Sequence, residues 1–212
     1  MPQRRAPNSS HTLAVIREEA RDCRRCHLWK NATQTVFGEG PASAPVMFVG
    51  EQPGDAEDIA GQPFVGPAGQ LLRKSLTEAG FDLAKIYLTN SVKHFKWTAK
   101  GKRRIHERPR QDEILACRYW LDREIELVKP RAIVALGATA AGVILGSSVR
   151  VTRDRAKFFE SPLAELVTLT VHPSSILRSD PKERETARRQ FVADLRTIAA
   201  RVALTGRVTR MG

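Results

Sequence analysis

The chain has 212 residues, 42% of them hydrophobic, enough for one domain with a sizeable core. No apolar run is long enough to span a bilayer, and Arg4-Arg5 is not followed by the apolar stretch of a secretory signal, so a cytoplasmic, monomeric protein without membrane contact is expected. The formal net charge of +12, with a pI near 10.3, favours a polyanionic partner such as nucleic acid.

Residues 1–9 are polar and read as a disordered tail. Ser9 or Ser10 is expected to cap a helix running toward Asp22, with Leu13, Ile16 and Ala20 on one face. Cys23-x-x-Cys26 follows. Val46–Gly50 is a continuous apolar run and reads as a buried strand. A Pro- and Gly-rich loop through Pro63, Gly66, Pro67 and Gly69 leads to a helix carrying Leu71, Leu72, Leu76 and Ala79, ended by Gly80. Ile86–Asn90 is a second strand. A basic insert spans 96–110; between Lys93 and Arg110, eight Lys or Arg residues against the single acid Glu107 give a local +7. Ile114, Cys117, Leu121, Ile125 and Val128 keep helical spacing up to Pro130. A third strand over 132–137, a small-residue helix over 138–145, a fourth strand over 166–171 and a final helix over 181–202 complete the pattern, leaving 204–212 as a second tail.

Strands alternating with helices predict an α/β fold: a single three-layer domain over 10–203, with a central four-stranded, mostly parallel sheet and helices on both faces. Ligands of such sheets bind beyond the carboxyl ends of the strands. Three of those ends carry Gly50-Glu51-Gln52, Asn90 and His172. Glu51 is suited to stabilise positive charge or orient a nucleophile. Asn90 has a donor and an acceptor on one amide, although Asn is also common in turns. His172 is either a hydrogen-bond donor in a site or a helix-capping histidine. An odd number of cysteines in an intracellular chain argues against a disulfide framework. Cys23, Cys26 and Cys117 with one histidine fit iron–sulfur or zinc ligation; buried apolar thiols are the third reading.

Gly50-Glu51-Gln52-Pro53-Gly54-Asp55, Asn90 and His172-Pro173-Ser174-Ser175, in that order and each at a strand end, resemble the motifs of the uracil-DNA glycosylase superfamily. The cysteine pair is similar to that of its iron–sulfur branch, family four. The 50–55 loop with Lys102-Arg103-Arg104-Ile105-His106 resembles the UdgX subfamily. The resemblance covers residues 20 to 200. It implies a partner, uracil-containing DNA with single strands accepted, and a set of roles. His172 would donate to a uracil carbonyl, Asn90 would read the edge carrying N3–H and O4, and Phe64 would stack on the base. Gly50, Gln52, Asp55 and Ser174 would complete the base pocket. Lys102, Arg103 and Arg104 would hold phosphates. Leu177 and Arg178, with Ile176, would wedge into the duplex vacancy left by the flipped base.

The resemblance also implies a [4Fe–4S] cluster on Cys23, Cys26, His94 and Cys117. His94 stands where the branch normally has a fourth cysteine, and His27 beside Cys26 is the other candidate ligand. In UdgX-like proteins the insert histidine, here His106, attacks C1′ of the sugar, with Glu51 on its other ring nitrogen, and leaves a covalent DNA–protein adduct. The alternatives are a conventional turnover glycosylase, a glycosylase for another deaminated base, and a non-catalytic nucleic-acid-binding protein.

Overall fold

The structure, a computed structural model, describes residues 12–208. The expected N-terminal tail, with Ser9 and Ser10, lies outside the described residues. The first helix, α1 (Leu13–Arg21), is capped by Thr12, whose Oγ1 accepts from the Val15 amide at 3.3 Å; Leu13, Ile16 and Ala20 form its buried face as expected.

Four parallel strands form where the apolar runs place them: β1 (Val46–Gly50), β2 (Ile86–Asn90), β5 (Ala132–Leu136) and β7 (Leu166–Thr170), each buried throughout. Their faces divide the core. Val46, Phe48, Ile86, Leu88 and Val134 pack on the side of α3 (Pro67–Glu78), α7 (Pro173–Arg178) and α8 (Pro181–Val208). Met47, Val49, Tyr87, Ile133 and Val167 pack on the side of α1, α4 (Gln111–Val128) and α5 (Gly137–Leu145). Burial on both faces explains why these strands read as unbroken apolar runs.

The sheet has five strands, not four, in the order β2-β1-β5-β7-β6. The extra strand, β6 (Phe158–Phe159), pairs antiparallel with β7 and is too short to leave a periodic signal. It follows a one-turn helix, α6 (Val151–Asp154). The segment read as a loop after β1 contains α2 (Asp55–Ala60), and α8 continues past Val202 to Val208. The basic insert is a hairpin of β3 (Trp97–Lys100) and β4 (Arg103–His106). Gly101, at φ +59, takes the first position of its two-residue turn, where a II′ geometry demands positive φ. Among the described residues, no helix is long and apolar enough to cross a membrane.

The segment leaving β2 is anchored by a buried ion pair. Lys93 Nζ lies 2.5 Å from Glu124 Oε2 on α4, and both side chains are fully buried. Nζ also donates to Thr89 Oγ1 at 2.6 Å and to the Asn90 carbonyl at 2.7 Å. Glu124 accepts from Gly38 N, Tyr87 Oη and Thr89 Oγ1 at 2.9, 3.1 and 2.8 Å. Removing one partner of such a pair strands the other charge, at a cost of about 3–5 kcal/mol. Glu124→Leu is therefore expected to lose stability in that range in urea unfolding, and Lys93→Met combined with Glu124→Leu to recover most of it. Equal losses in the single and the double variant would show that the charge pairing does not set the stability.

Candidate active site

The parallel register places Gly50 beside Asn90 at the carboxyl edge of the sheet. A Cβ on Gly50 would lie 2.3 Å from Asn90 Oδ1 and 2.8 Å from Phe64 Cζ, so only glycine lets these two close over the strand end. The Phe64 ring stacks against the His172 ring, with centroids 6.3 Å apart and planes 30° apart. Asn90, Phe64 and His172, expected to share a base pocket, are thus brought together, around the Gly50 strand end.

His172 is the helix cap that the sequence offered as one of two alternatives, and its Nε2 is left over from that capping. Its Nδ1 caps α7 by accepting from the Ser174 amide at 3.2 Å, and it lies 2.8 Å from Ser174 Oγ. A ring nitrogen that accepts from a backbone N–H carries no proton, so the hydrogen of the neutral ring sits on Nε2. Burial pushes the His172 pKa down to about 4, with Arg178 and His106 adding to the shift and Glu51 opposing it. The ring is neutral at pH 7 and offers Nε2–H to a ligand.

A second constellation lies beside it. His106, at the end of β4, points Nε2 at Glu51 Oε1, 3.3 Å away. The other carboxylate oxygen accepts from the Thr139 hydroxyl on α5, and Arg108 Nε donates to that hydroxyl at 3.2 Å. Burial raises the Glu51 pKa, but hydrogen bonds from His106 and Thr139 outweigh it and hold the carboxyl below its usual value. Thr139 and Arg108 carried no signal in the sequence: one sits in a run of small residues, the other in a run of charge.

Several expected ligand-facing residues are committed elsewhere. Gln52 does not present its amide to a base. Its Nε2 donates to the carbonyls of Lys96 and Glu107, both at 3.1 Å, and its Oε1 accepts from Lys96 N at 3.3 Å, so it clamps the root of the hairpin. Asp55 pairs with Arg104 Nε at 2.5 Å, and Asp58 with Arg104 Nη1 at 2.6 Å. Arg104 therefore anchors the hairpin to α2 through its Nε and Nη1. Lys96 is likewise held by Glu107 and Glu113 at 3.1 and 3.3 Å. Of the eight cations in the +7 stretch, Lys93, Lys96, Arg104 and Arg110 are paired with acids of the fold; Lys100, Lys102 and Arg103, at or beside the hairpin turn, are exposed, as are Arg108 and Arg110. Ile176 is buried in the α3–α7–α8 core and cannot wedge into DNA; Leu177 is half-buried and Arg178 exposed beside the site.

Behind the hairpin, Cys23 and Cys117 are buried and Cys26 is half-buried. Trp120 Nε1 donates to Cys23 Sγ and Lys93 N to Cys117 Sγ, both at 3.1 Å. Burial pushes the Cys117 thiol up to about 12. His94 Nε2 lies 2.9 Å from Thr35 Oγ1, and its buried Nδ1 has no hydrogen-bond partner. His27 is committed to Glu113, at 3.0 Å. Among the described residues, no three His, Cys, Asp or Glu side chains are grouped as a ready metal site.

Residues 37–196 match the family described as the uracil DNA glycosylase superfamily. The chain belongs to the uracil-DNA glycosylase superfamily. Within it, a type-4 uracil-DNA glycosylase of Sulfurisphaera tokodaii is 36% identical over 174 residues, 78% of this chain and 76% of that protein. A type-4 enzyme of Thermotoga maritima is 36% identical over 172 residues, 81% and 86% of the two chains. The solved structure of Pedobacter heparinus SMUG2 aligns with a TM-score of 0.52 at 9% identity, over 74% of this chain and 77% of that one, a likeness of fold alone. The superfamily fold accounts for the mostly parallel sheet flanked by helices.

The depressed His172 pKa sets a pH dependence of stability. An unfolded histidine titrates near 6.5, and the folded ring near 4. Between those values the unfolded state binds the extra proton, so stability is full above pH 6.5 and falls toward pH 4, by at most about 1.4 kcal/mol per pH unit from this group. Urea unfolding of wild type and His172→Gln at pH 7.5 and pH 5 is expected to show a smaller acid loss in the variant. Parallel losses would mean that His172 is not the group responsible.

Proposed function

We propose that this protein excises uracil from DNA and, following the UdgX-like pattern of its hairpin, becomes covalently joined to the abasic sugar through His106. The type-4 relatives carry the first half of this reading. The second half rests on one observation: the hairpin, clamped by Gln52 and Arg104, sets His106 Nε2 3.3 Å from Glu51.

Departure of uracil leaves positive charge on the sugar and negative charge on the base. Phe64 stacks on the flipped base, Asn90 reads its N3–H and O4 edge, and His172 Nε2–H donates to a carbonyl oxygen as it becomes anionic. A neutral donor suits this task because it strengthens as charge develops on the oxygen, and burial has kept it neutral. The C1′–N1 bond breaks with its electron pair leaving on uracil. An imidazole lone pair of His106 forms the new bond to C1′, and the ring's remaining N–H proton passes by way of Glu51 to solvent. A neutral N-alkylated imidazole is a poor leaving group, so the adduct persists. Lys102 and Arg103 at the hairpin tip, with Arg178, hold the phosphate backbone.

Incubation with uracil-containing single-stranded DNA followed by denaturing electrophoresis tests this. Wild type should give a shifted protein–DNA band, His106→Ala none, and His106→Ser a released abasic product. Catalytic release by wild type with no shifted band would establish the conventional glycosylase instead. Loss of neither base nor mobility would leave a nucleic-acid-binding protein.

The cysteine region supports a resident [4Fe–4S] cluster on Cys23, Cys26, Cys117 and His94. The donor chemistry fits: three thiols, N–H donors aimed at two of their sulfurs, and a buried imidazole nitrogen that lacks a partner. Such a cluster would tie the segment after α1, the exit from β2 and α4 together. Purified protein should absorb in the iron–sulfur charge-transfer region and contain iron and sulfide, and Cys117→Ser should lose both and melt at lower temperature. A colourless protein with one zinc per chain would overturn this assignment.

A further inference from the structure

Glu51 has two carboxylate oxygens, and the proposed mechanism uses only the one that faces His106. The other is engaged by a group from a distant part of the chain. Thr139 is the third residue of α5, nearly fully buried, and its hydroxyl reaches across the site to Glu51 Oε2, not to its own helix. The direction of this contact is fixed by Arg108. A guanidinium has five donors and no acceptor, so the Arg108 Nε–Thr139 Oγ1 contact at 3.2 Å can only be accepted by the hydroxyl. The single hydroxyl hydrogen is then free for the carboxylate. Arg108 lies two residues beyond His106, so the chain that delivers the imidazole to one side of Glu51 also orients the donor on the other side.

We propose that Thr139 and Arg108 are positioning residues: Arg108 polarises the Thr139 hydroxyl, and that hydroxyl holds Glu51 as a carboxylate with its free oxygen turned to His106. This rests on the roles given above to Glu51 and His106. The arrangement makes the charge and the rotamer of Glu51 depend on one buried hydroxyl. It also ties the orientation of His106 to α5, an element that otherwise serves only to cover the sheet. Two donors on one carboxylate favour its ionised form. They also prevent the side chain from swinging away when DNA displaces water from the site.

The isosteric change Thr139→Val removes the hydroxyl and keeps the packing, and Thr139→Ser keeps the hydroxyl. Carbon-13 NMR of protein labelled at glutamate carboxyls, with the Glu51 signal assigned through Glu51→Gln, reads the titration without any need for activity. The Glu51 midpoint should move to higher pH in Thr139→Val and return in Thr139→Ser. Arg108→Met should move it in the same direction by less. In single-turnover reactions with saturating uracil-DNA, Thr139→Val should lower the rate of uracil loss roughly tenfold or more near neutral pH and move the acid limb of the rate profile upward. Thr139→Ser should come back to within about threefold, with DNA affinity unchanged in both. An unmoved Glu51 titration, or a Thr139→Val defect that Thr139→Ser does not rescue, would overturn the proposal and leave Thr139 as packing. Failure of the covalent reading looks different: wild type would then show no shifted band, while the Glu51 titration would still respond to Thr139→Val.

Discussion

The buried pair of Lys93 and Glu124 is the constraint on which the site depends. The chain leaving β2 must carry Asn90 to the pocket, His94 toward the cysteines and the hairpin over Glu51, all within a few residues. Apolar packing alone would hold such a segment loosely, because successive buried residues can slide past one another at little cost. A charge pair in a low-dielectric interior cannot slide. Lys93 Nζ fixes the Asn90 carbonyl directly, and Glu124 gathers Tyr87, Thr89 and Gly38 around the same point. The position of Asn90 is thereby referred to α4, the longest helix on that face of the sheet.

The hairpin is held by the same strategy with different parts. Gln52 closes its root, Lys96 bridges Glu107 and Glu113, and Arg104 clamps it to α2 through Asp55 and Asp58. None of these contacts needs a ligand. In the reading proposed above, His106 would thus be poised before DNA arrives, and the ordering cost that a flexible loop would carry into the reaction would be met during folding. The arrangement also limits electrostatic attraction. Four of the eight cations in the run are paired with acids of the fold, so a polyanion would be drawn by the remaining cations of the hairpin segment and by those elsewhere on a chain of net charge +12.

The four parallel strands were legible in the sequence because double-sided burial writes itself as continuous apolar runs, and their carboxyl ends gave the location of the site. Phe64, Asn90 and His172 converge as the resemblance implies. What the sequence could not show was how polar residues are paired. Gln52, next to Glu51 in a motif, looks like a ligand contact and is a structural clamp. Arg104, inside a basic run, looks like a phosphate contact and is an internal anchor. A lysine in sequence is simply a positive charge, and nothing local marks Lys93 as buried. The hairpin escaped because its strands are largely exposed on both faces, leaving no alternation to read. Thr139 escaped because its partner lies 88 positions away.

The two halves of the site are set apart by their protonation states more than by distance. On the base side, burial has removed the charge from His172, which in the proposed reaction would meet developing negative charge as a neutral donor. On the sugar side, hydrogen bonds have preserved the charge on Glu51 against the same burial, and in the proposed reaction it would meet developing positive charge as an anion. An imidazolium at His172 would bind the uracil carbonyl before the reaction as well as during it, and uniform binding of that kind does not lower the barrier. A protonated Glu51 would leave both the sugar cation and the His106 ring without a counter-charge. The proposed cleavage at neutral pH would require opposite outcomes from two neighbouring desolvated groups, and the fold supplies them by giving the carboxylate two donors and leaving the Nε2 hydrogen of His172 uncommitted.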